Sequence, residues 1–330
     1  MTSRKLLILG LDGADREAIV TGINRGKLPN FRDVAQAGDI STLKAPLPPL
    51  TPVSISSILT GKNPGEHGVF GFEEMDGSKT YVDYNSIQTR TLFDYLDDAG
   101  KTAIPVNVPL TNPLPDSVNI GISGFPISGS VFAKPYPVRE KLRENSYSVE
   151  PSRFNNDTED FVEEVFELAE KRFDISRELI CEDWDLFFLM FTGDARLQHF
   201  VNDSEIITDF YSDVDRYLGQ LLDEVEEDVE VLIISDHGFS ELEARLDIGE
   251  WLSREGYLEE NITSDTDRLY GKIEDLKEEE RAYPIGAYLG GVNADEGLRE
   301  EILEKLNDLE YNDKKVFRDV FLSEEIYGEK

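Results

Sequence analysis

Two apolar runs in this chain end in an acid. Val229-Glu-Val-Leu-Ile-Ile-Ser235 stops at Asp236-His237-Gly238, and Lys5-Leu-Leu-Ile-Leu-Gly-Leu11 stops at Asp12-Gly13. Apolar, β-branched stretches of this kind read as buried parallel strands, and open α/β sheets hold ligands at the carboxyl ends of such strands. Two strand ends that offer Asp, Asp and His make a donor set for a divalent metal. An Asp in such a place can equally cap the next helix or turn. Adding Asp12 and Thr51 to the Asp-His-Gly end tips the reading towards metal.

Thr51 is the candidate nucleophile. A threonine hydroxyl is weak by itself and needs a base or a metal to lower its pKa. Pro52 follows it, and proline favours the first helical position, which puts Thr51 at the N-cap. There a helix N-terminus and a neighbouring cation would stabilise an alkoxide and attract an anion. A Thr-Pro pair is also an ordinary helix start, so both roles stay open on these residues alone.

The elements that must position these groups alternate between strand and helix. Asp15 can cap a helix running to about Ala37, interrupted near Gly26-Lys-Leu-Pro29, and Asp39–Ala45 reads as a strand. Helices are expected over Val53–Leu59, Thr91–Ala99, Thr158–Ile180, Ala195–Val201, Ile206–Glu224, Ile248–Glu255 and Glu296–Leu306. Strands are expected over Thr102–Val108, Val118–Phe125, Leu186–Phe191 and near Tyr283–Leu289. This order predicts an α/β fold with a mostly parallel, doubly wound sheet. Between Pro109 and about Pro151 the chain is rich in Pro, Gly and Ser. Residues 109–180 are therefore expected to form a cap inserted into a core made of 1–108 and 181–330. Asn107, Thr111 and Ser123 lie where the cap could meet the active edge and are candidate substrate contacts, although turns use the same residue types.

Composition narrows the partners. The 330 residues carry 68 acidic against 33 basic side chains, a net charge of −35. Such a charge argues against a nucleic-acid backbone or an anionic membrane as the partner, because phosphate binding relies on Lys and Arg. A small phosphorylated substrate is compatible with it, since bound cations reverse the local field. Cys181 is the one cysteine, so no internal disulfide and no cysteine-rich metal site can form. No apolar run is long enough for a membrane span or a signal segment, and a cytoplasmic location is expected.

Together these pieces resemble the alkaline phosphatase superfamily, in its type I phosphodiesterase/nucleotide pyrophosphatase branch. The matching segments are Leu9-Gly-Leu-Asp12-Gly13, Pro48-Pro-Leu-Thr51-Pro52 with Leu59-Thr60-Gly61, and Asn63-Pro-Gly-Glu-His67-Gly68. Further on come Asn107-Val-Pro109, Ser123-Gly-Phe125, Phe191-Thr-Gly193 with Gln198-His199, and Ser235-Asp-His-Gly-Phe239. The resemblance implies an alkaline phosphatase-like fold and one metal held by Asp12, Thr51, Asp236 and His237. It implies a phosphothreonine intermediate at Thr51, and a second metal that takes His199 and an Asp four residues before it. It places His67 in a loop motif, outside the ligand set, where a structural role is expected.

The second site departs from that pattern. The position four before His199 is Ala195; Asp194 stands one residue earlier and is the candidate ligand in its place, if a one-residue slip in the loop delivers its carboxylate. No His follows His237, and Phe72 stands at about the place of an Asn that the resemblance implies. Glu241, Glu243 and Asp247 are expected to be solvated charges and not replacement ligands. The resemblance thus implies a metal-dependent hydrolase of phosphate diesters or pyrophosphates with one or two ions. Zinc is favoured by the His and manganese is the alternative. A non-catalytic or mononuclear relative that serves as a binding or regulatory protein is the competing reading. It is favoured by Ala195 and opposed by the intact Asp12, Thr51, Asp236 and His237. The sequence leaves oligomeric state open.

The acid is spread over surface-like stretches such as Asp223-Glu-Val-Glu-Glu-Asp228 and Glu278-Glu-Glu280. We read it as an adaptation to a high-salt cytoplasm, where a Debye length of about 3 Å at 1 M relaxes self-repulsion. Denaturant midpoints should therefore rise between low salt and molar potassium chloride. Greatest stability at low salt would refute this.

Overall fold

The structure is a computed structural model of the chain. It describes residues 4–74, 80–126, 132–152, 158–201, 203–225, 229–241, 246–258, 282–285 and 291–328. These divide into two compact units: residues up to 62 with 83–240, and residues 63–82 with those from 241 on.

The first unit is built on a six-stranded sheet. Its strands are β1 (Lys5–Leu11), β2 (Ala103–Val108), β3 (Gly121–Ser123), β4 (Ala133–Lys134), β5 (Leu186–Phe191) and β6 (Val229–Ser235). They lie in the order β4-β3-β2-β5-β1-β6, parallel throughout except for the antiparallel β3–β4 pair. β5 reads Leu-Phe-Phe-Leu-Met-Phe and is buried along its whole length, as an inner strand covered on both faces requires. Alternation splits its side chains between the faces. Phe188 and Met190 join Ile8, Ile55, Leu59 and Phe93 in one cluster. That cluster brings in α3 (Thr51–Thr60) and α5 (Leu92–Asp98). On the opposite face Phe191 stacks on Tyr217, which also stacks on Phe173 with centroids 4.3 Å apart. These rings come from α9 (Ser204–Glu224) and α7 (Thr158–Leu179). Each large side chain so buried contributes about 1.5–3 kcal/mol, and together they hold the strand ends in register.

The fold class is thus the α/β arrangement expected, with the mostly parallel sheet wound on both faces. Three local features differ from the sequence reading. Asp39–Ala45 is not a strand: residues 39–44 are exposed, Leu43 at 66%, and they have no strand to pair with among the described residues. β6 is an edge strand, not a buried one, and Leu232 is 42% exposed. The strand read at Val118–Phe125 shortens to Gly121–Ser123. The helix expected from Asp15 is interrupted where the sequence indicates: α1 (Arg16–Asn24), capped by Asp15 through Glu17 N, is followed by α2 (Pro29–Ala37). The described parts of 109–180, expected as a cap, supply β3 and β4 to the sheet itself. They also supply α6 (Tyr136–Glu144) and α7 to the same compact unit.

The second unit contains α4 (Pro64–His67), α10 (Ile248–Arg254), α11 (Glu296–Asn307), α12 (Ser323–Tyr327) and the antiparallel pair β7 (Ala282–Ile285) and β8 (Gly291–Ala294). Ile248, Trp251, Leu252, Leu298, Ile302 and Leu306 form its core. A hairpin of β9 (Glu310–Tyr311) and β10 (Lys314–Lys315) turns through Asn312 and Asp313, both at positive φ, as tight hairpin turns require. Asp247 caps α10 by accepting from Glu250 N, and Glu241 is exposed. Glu243, residues 286–289 of the expected late strand and the Glu278–Glu280 run lie outside the described residues.

His67 has the structural setting expected of it. It is fully buried, and its Nδ1 accepts from Val69 N at 3.1 Å. Burial lowers its pKa from 6.5 to about 4, against the opposing pull of Glu66. The unfolded chain therefore takes up a proton on this ring before the folded chain does. The stability tied to neutral His67 is present above about pH 6.5 and is lost as pH falls towards 4. Between pH 7 and 5, His67→Gln should lose about 1–2 kcal/mol less stability than the wild type. Parallel curves in denaturant titrations would contradict this.

Candidate functional site

Strand register builds the site. β1 and β6 run parallel with Leu11 opposite Ser235, so Asp12 and Asp236 leave the sheet side by side. β1 and β5 pair with Leu11 opposite Phe191, and Asp12 N donates to Phe191 O at 2.9 Å. Asp194 follows three residues after Phe191, in the first turn of α8 (Gly193–Phe200). Three carboxylates thus converge on the carboxyl edge of three adjacent strands. Asp12 and Asp236 are no more than 4% exposed and Asp194 is fully buried.

The turns after β1 and β6 lock together. Gly13 N donates to Asp236 Oδ1 at 3.0 Å, Ala14 N to Ser235 Oγ at 2.9 Å, and His237 N to Asp236 Oδ1 at 3.0 Å. Gly13 has φ +71°, and a Cβ there would come within 3.2 Å of His237 Cε1 and Phe239 Cδ2. Both backbone conformation and close approach call for glycine. Gln198 Nε2 donates to Gly13 O at 3.0 Å and ties α8 to the same turn.

His237 turns its Nε2 into the site. Its Nδ1 lies 2.9 Å from Gly238 O, which makes Nδ1 the protonated nitrogen and leaves the lone pair on Nε2. Nε2 faces Thr51 Oγ1 at 3.1 Å and lies 3.5 Å from both Asp12 Oδ1 and Asp236 Oδ2. Thr51 Oγ1 is 3.3 Å from Asp12 Oδ1. Thr51 is the first residue of α3, with Leu50 at the cap position. This corrects the expected N-cap by one residue but leaves its hydroxyl in the helix's first turn.

The carboxylates lack what buried charges need. Asp12 Oδ2, Asp236 Oδ2 and both oxygens of Asp194 are buried without a hydrogen-bond partner. Burial raises the pKa of Asp12, and the neighbouring Asp236 raises it further, against Arg196 and His237. Burial raises that of Asp236 too, opposed by His237 and by the amides of Gly13 and His237. Asp194 is pushed well above the usual carboxylate range by burial and then by Asp12, while the nearby amides of Ala195 and Asp194 favour its charged form. Orphaned, mutually repelling carboxylates are what a divalent cation resolves. Oxygens of Asp12 and Asp236 and a nitrogen of His237 all lie within 4.8 Å of one another. By donor type and orphaned atoms the residues present fit a metal ion.

The other expected residues fall elsewhere. His199 is exposed at the end of α8 and packs edge-on against Phe239, centroids 4.7 Å apart. Burial, then Arg196 and His237, lower its pKa. Asn107, Thr111 and Ser123 are fully buried. Thr111 Oγ1 donates to Val108 O at 2.6 Å and accepts from Gly124 N at 3.1 Å, while Ser123 Oγ accepts from Phe132 N. Asn107 has φ 59° at a register shift between β2 and β3. With its side-chain oxygen turned to Arg172 it accepts from Nη2 at 3.1 Å. All three hold the framework behind the sheet edge.

Two residues escaped the sequence reading. Arg196 Nη1 lies 3.9 Å from Asp12 Oδ2, and Arg196 Nε donates to Glu150 Oε2. Arg196 lies within the stretch already read for ligands, but nothing in the sequence pairs it with Glu150.

The sequence profile of the type I phosphodiesterase / nucleotide pyrophosphatase family matches residues 6–330. The chain belongs to that family. It is accordingly a phosphoric-ester hydrolase of the phosphodiesterase/pyrophosphatase type. Among solved structures it is similar to phosphonoacetate hydrolase from Sinorhizobium meliloti 1021 in complex with phosphonoformate. That match has a TM-score of 0.65 and 18% identity, and covers 93% of this chain and 73% of the other. The same enzyme in complex with phosphonoacetate matches at TM-score 0.63 and 17% identity over the same shares. No curated protein sequence matches the chain. None of the described helices is long and apolar enough to cross a membrane.

Proposed function

We propose that this family member hydrolyses small phosphate diesters or pyrophosphates with Thr51 as nucleophile, on a metal held by Asp12, Asp236 and His237. The observation that carries the reading is Thr51 Oγ1, in the first turn of α3 and within 3.3 Å of both Asp12 Oδ1 and His237 Nε2. A scaffold has no need to set a buried hydroxyl against two metal donors.

The bound ion would supply charge that lowers the hydroxyl pKa and offsets the phosphoryl oxygens. Zinc suits the imidazole, and manganese suits a set dominated by carboxylates. Thr51 Oγ1 attacks phosphorus in line, and the bond from phosphorus to the leaving oxygen breaks as the new P–Oγ1 bond forms. The hydroxyl proton has Asp12 Oδ1 as its neighbouring acceptor. Water then attacks the phosphothreonine, releasing a phosphate monoester and restoring the hydroxyl. The first turn of α3 presents free backbone N–H groups, which favour an anion beside Thr51. The phosphonoformate and phosphonoacetate bound by the similar enzyme are small phosphoryl anions, the class of substrate proposed for this chain.

With zinc or manganese supplied, the protein should hydrolyse bis-p-nitrophenyl phosphate faster than the monoester. Thr51→Ala should lower kcat by a factor between about 10^3 and 10^6, the upper figure being the scale on which loss of a nucleophile acts. Turnover that survives in Thr51→Ala would remove Thr51 from this role. Folded wild-type protein inert with either ion would favour the binding or regulatory relative.

A further inference from the structure

We infer that Arg196 is a substrate-binding residue that grips the oxygens of the phosphoryl group, aimed by Glu150. The inference rests on the metal-site reading above and names a contact which that reading does not use. The Arg196 side chain is 15% exposed. Its Nε is engaged by Glu150, whose own side chain is 19% exposed, and its guanidinium lies 5.1 Å from the Phe125 ring centroid. Anchored at Nε and packed over a ring, the planar group is held in one orientation. Neither Nη nitrogen donates a hydrogen bond to any described residue. Among the described residues, four N–H donors in a rigid fork are therefore uncommitted beside Asp12.

A counter-ion for Asp12 is the simpler role, but the geometry fits it poorly. Nη1 stands 3.9 Å from Asp12 Oδ2, too far for a hydrogen bond, and that oxygen has no hydrogen-bond partner. The acid that the guanidinium does bind is Glu150, at Nε and not at the Nη pair. A tetrahedral oxyanion bound beside Asp12 would take two parallel N–H···O bonds from the fork. This is the arrangement for which arginine is suited and lysine is not. Glu150 is then a positioning residue: its charge holds Nε so that the Nη pair faces the site.

The test is calorimetric titration of the full chain, first with zinc or manganese and then with inorganic phosphate. Wild type, Arg196→Gln, Arg196→Lys and Glu150→Gln would be compared, each shown folded by circular dichroism. Arg196→Gln should weaken phosphate binding about 10- to 100-fold, the scale of a lost charge-assisted bidentate contact. Its metal affinity should hold or rise, because a positive charge leaves the neighbourhood of Asp12. Arg196→Lys should keep the charge, lose the fork and weaken phosphate by about 5-fold or more. Glu150→Gln should fall between, with metal affinity unchanged. Phosphate affinity equal to wild type in metal-loaded Arg196→Gln would overturn the inference and leave Arg196 a counter-ion. Should Arg196→Gln fail to fold, equal affinity in Arg196→Lys overturns it instead. Wild type that takes up no metal would sink the metal-site reading separately. The phosphate titration would then be made on the metal-free proteins, where no loss in the Arg196 variants, or no binding by wild type, again overturns the inference.

Discussion

The structure turns on the crowding of three buried carboxylates at one sheet edge. Asp12, Asp194 and Asp236 leave adjacent strands within a region from which water is excluded, and four of their oxygens have no hydrogen-bond partner. In such surroundings like charges repel strongly and ionised groups are poorly solvated. The protein answers in part with the amides of Gly13 and His237 on Asp236 and with the Arg196 charge near Asp12. On the proposed reading a cation would answer what remains, with the neighbouring His237 Nε2 lone pair completing its donor set.

The scaffold exists to keep that unfavourable cluster in place. Parallel register carries Asp12 and Asp236 to the same level, and the fully buried β5 between β1 and β2 sets the height of Asp194. Gly124 allows the chain after β3 to approach β2 closely, since a Cβ there would stand 2.2 Å from Val108 O. Behind the edge, the buried Arg172 binds Val149 O at 3.0 Å and contacts Tyr147 and Thr192. That network fixes the segment carrying Glu150 against the strand that leads to Asp194. Because the second turn depends on the first, Gly13 and His237 pack directly on one another and leave little freedom for either loop.

Much of this was legible in the sequence because inner parallel strands are written as short apolar runs. Lys5–Leu11, Leu186–Phe191 and the acids that end them could be read directly, as could the long amphipathic helices. β6 was placed correctly but misjudged as buried, since an edge strand with one neighbour can carry the same β-branched composition. Asp39–Ala45 carries Ile40, Thr42 and Leu43 yet has no strand partner among the described residues, and pairing is a tertiary property that a local pattern does not contain. β3 falls inside the Val118–Phe125 run with looser bounds, whereas β4, two residues long beside a proline, has no local pattern to announce it. Arg196 and Glu150 were missed for another reason. Their contact spans 46 residues, and a charged residue on a helix looks the same whether it is solvated or aimed at a site.

The central claim is that Asp12, Asp236 and His237 together hold a metal ion. The most direct measurement is anomalous diffraction at the zinc or manganese edge from crystals of the full chain grown with that ion. The account predicts that the strongest anomalous peak is bonded to His237 Nε2 and to carboxylate oxygens of Asp12 and Asp236, at about 2.0–2.2 Å for zinc. Peaks confined to exposed surface carboxylates, with none at this cluster, would contradict it.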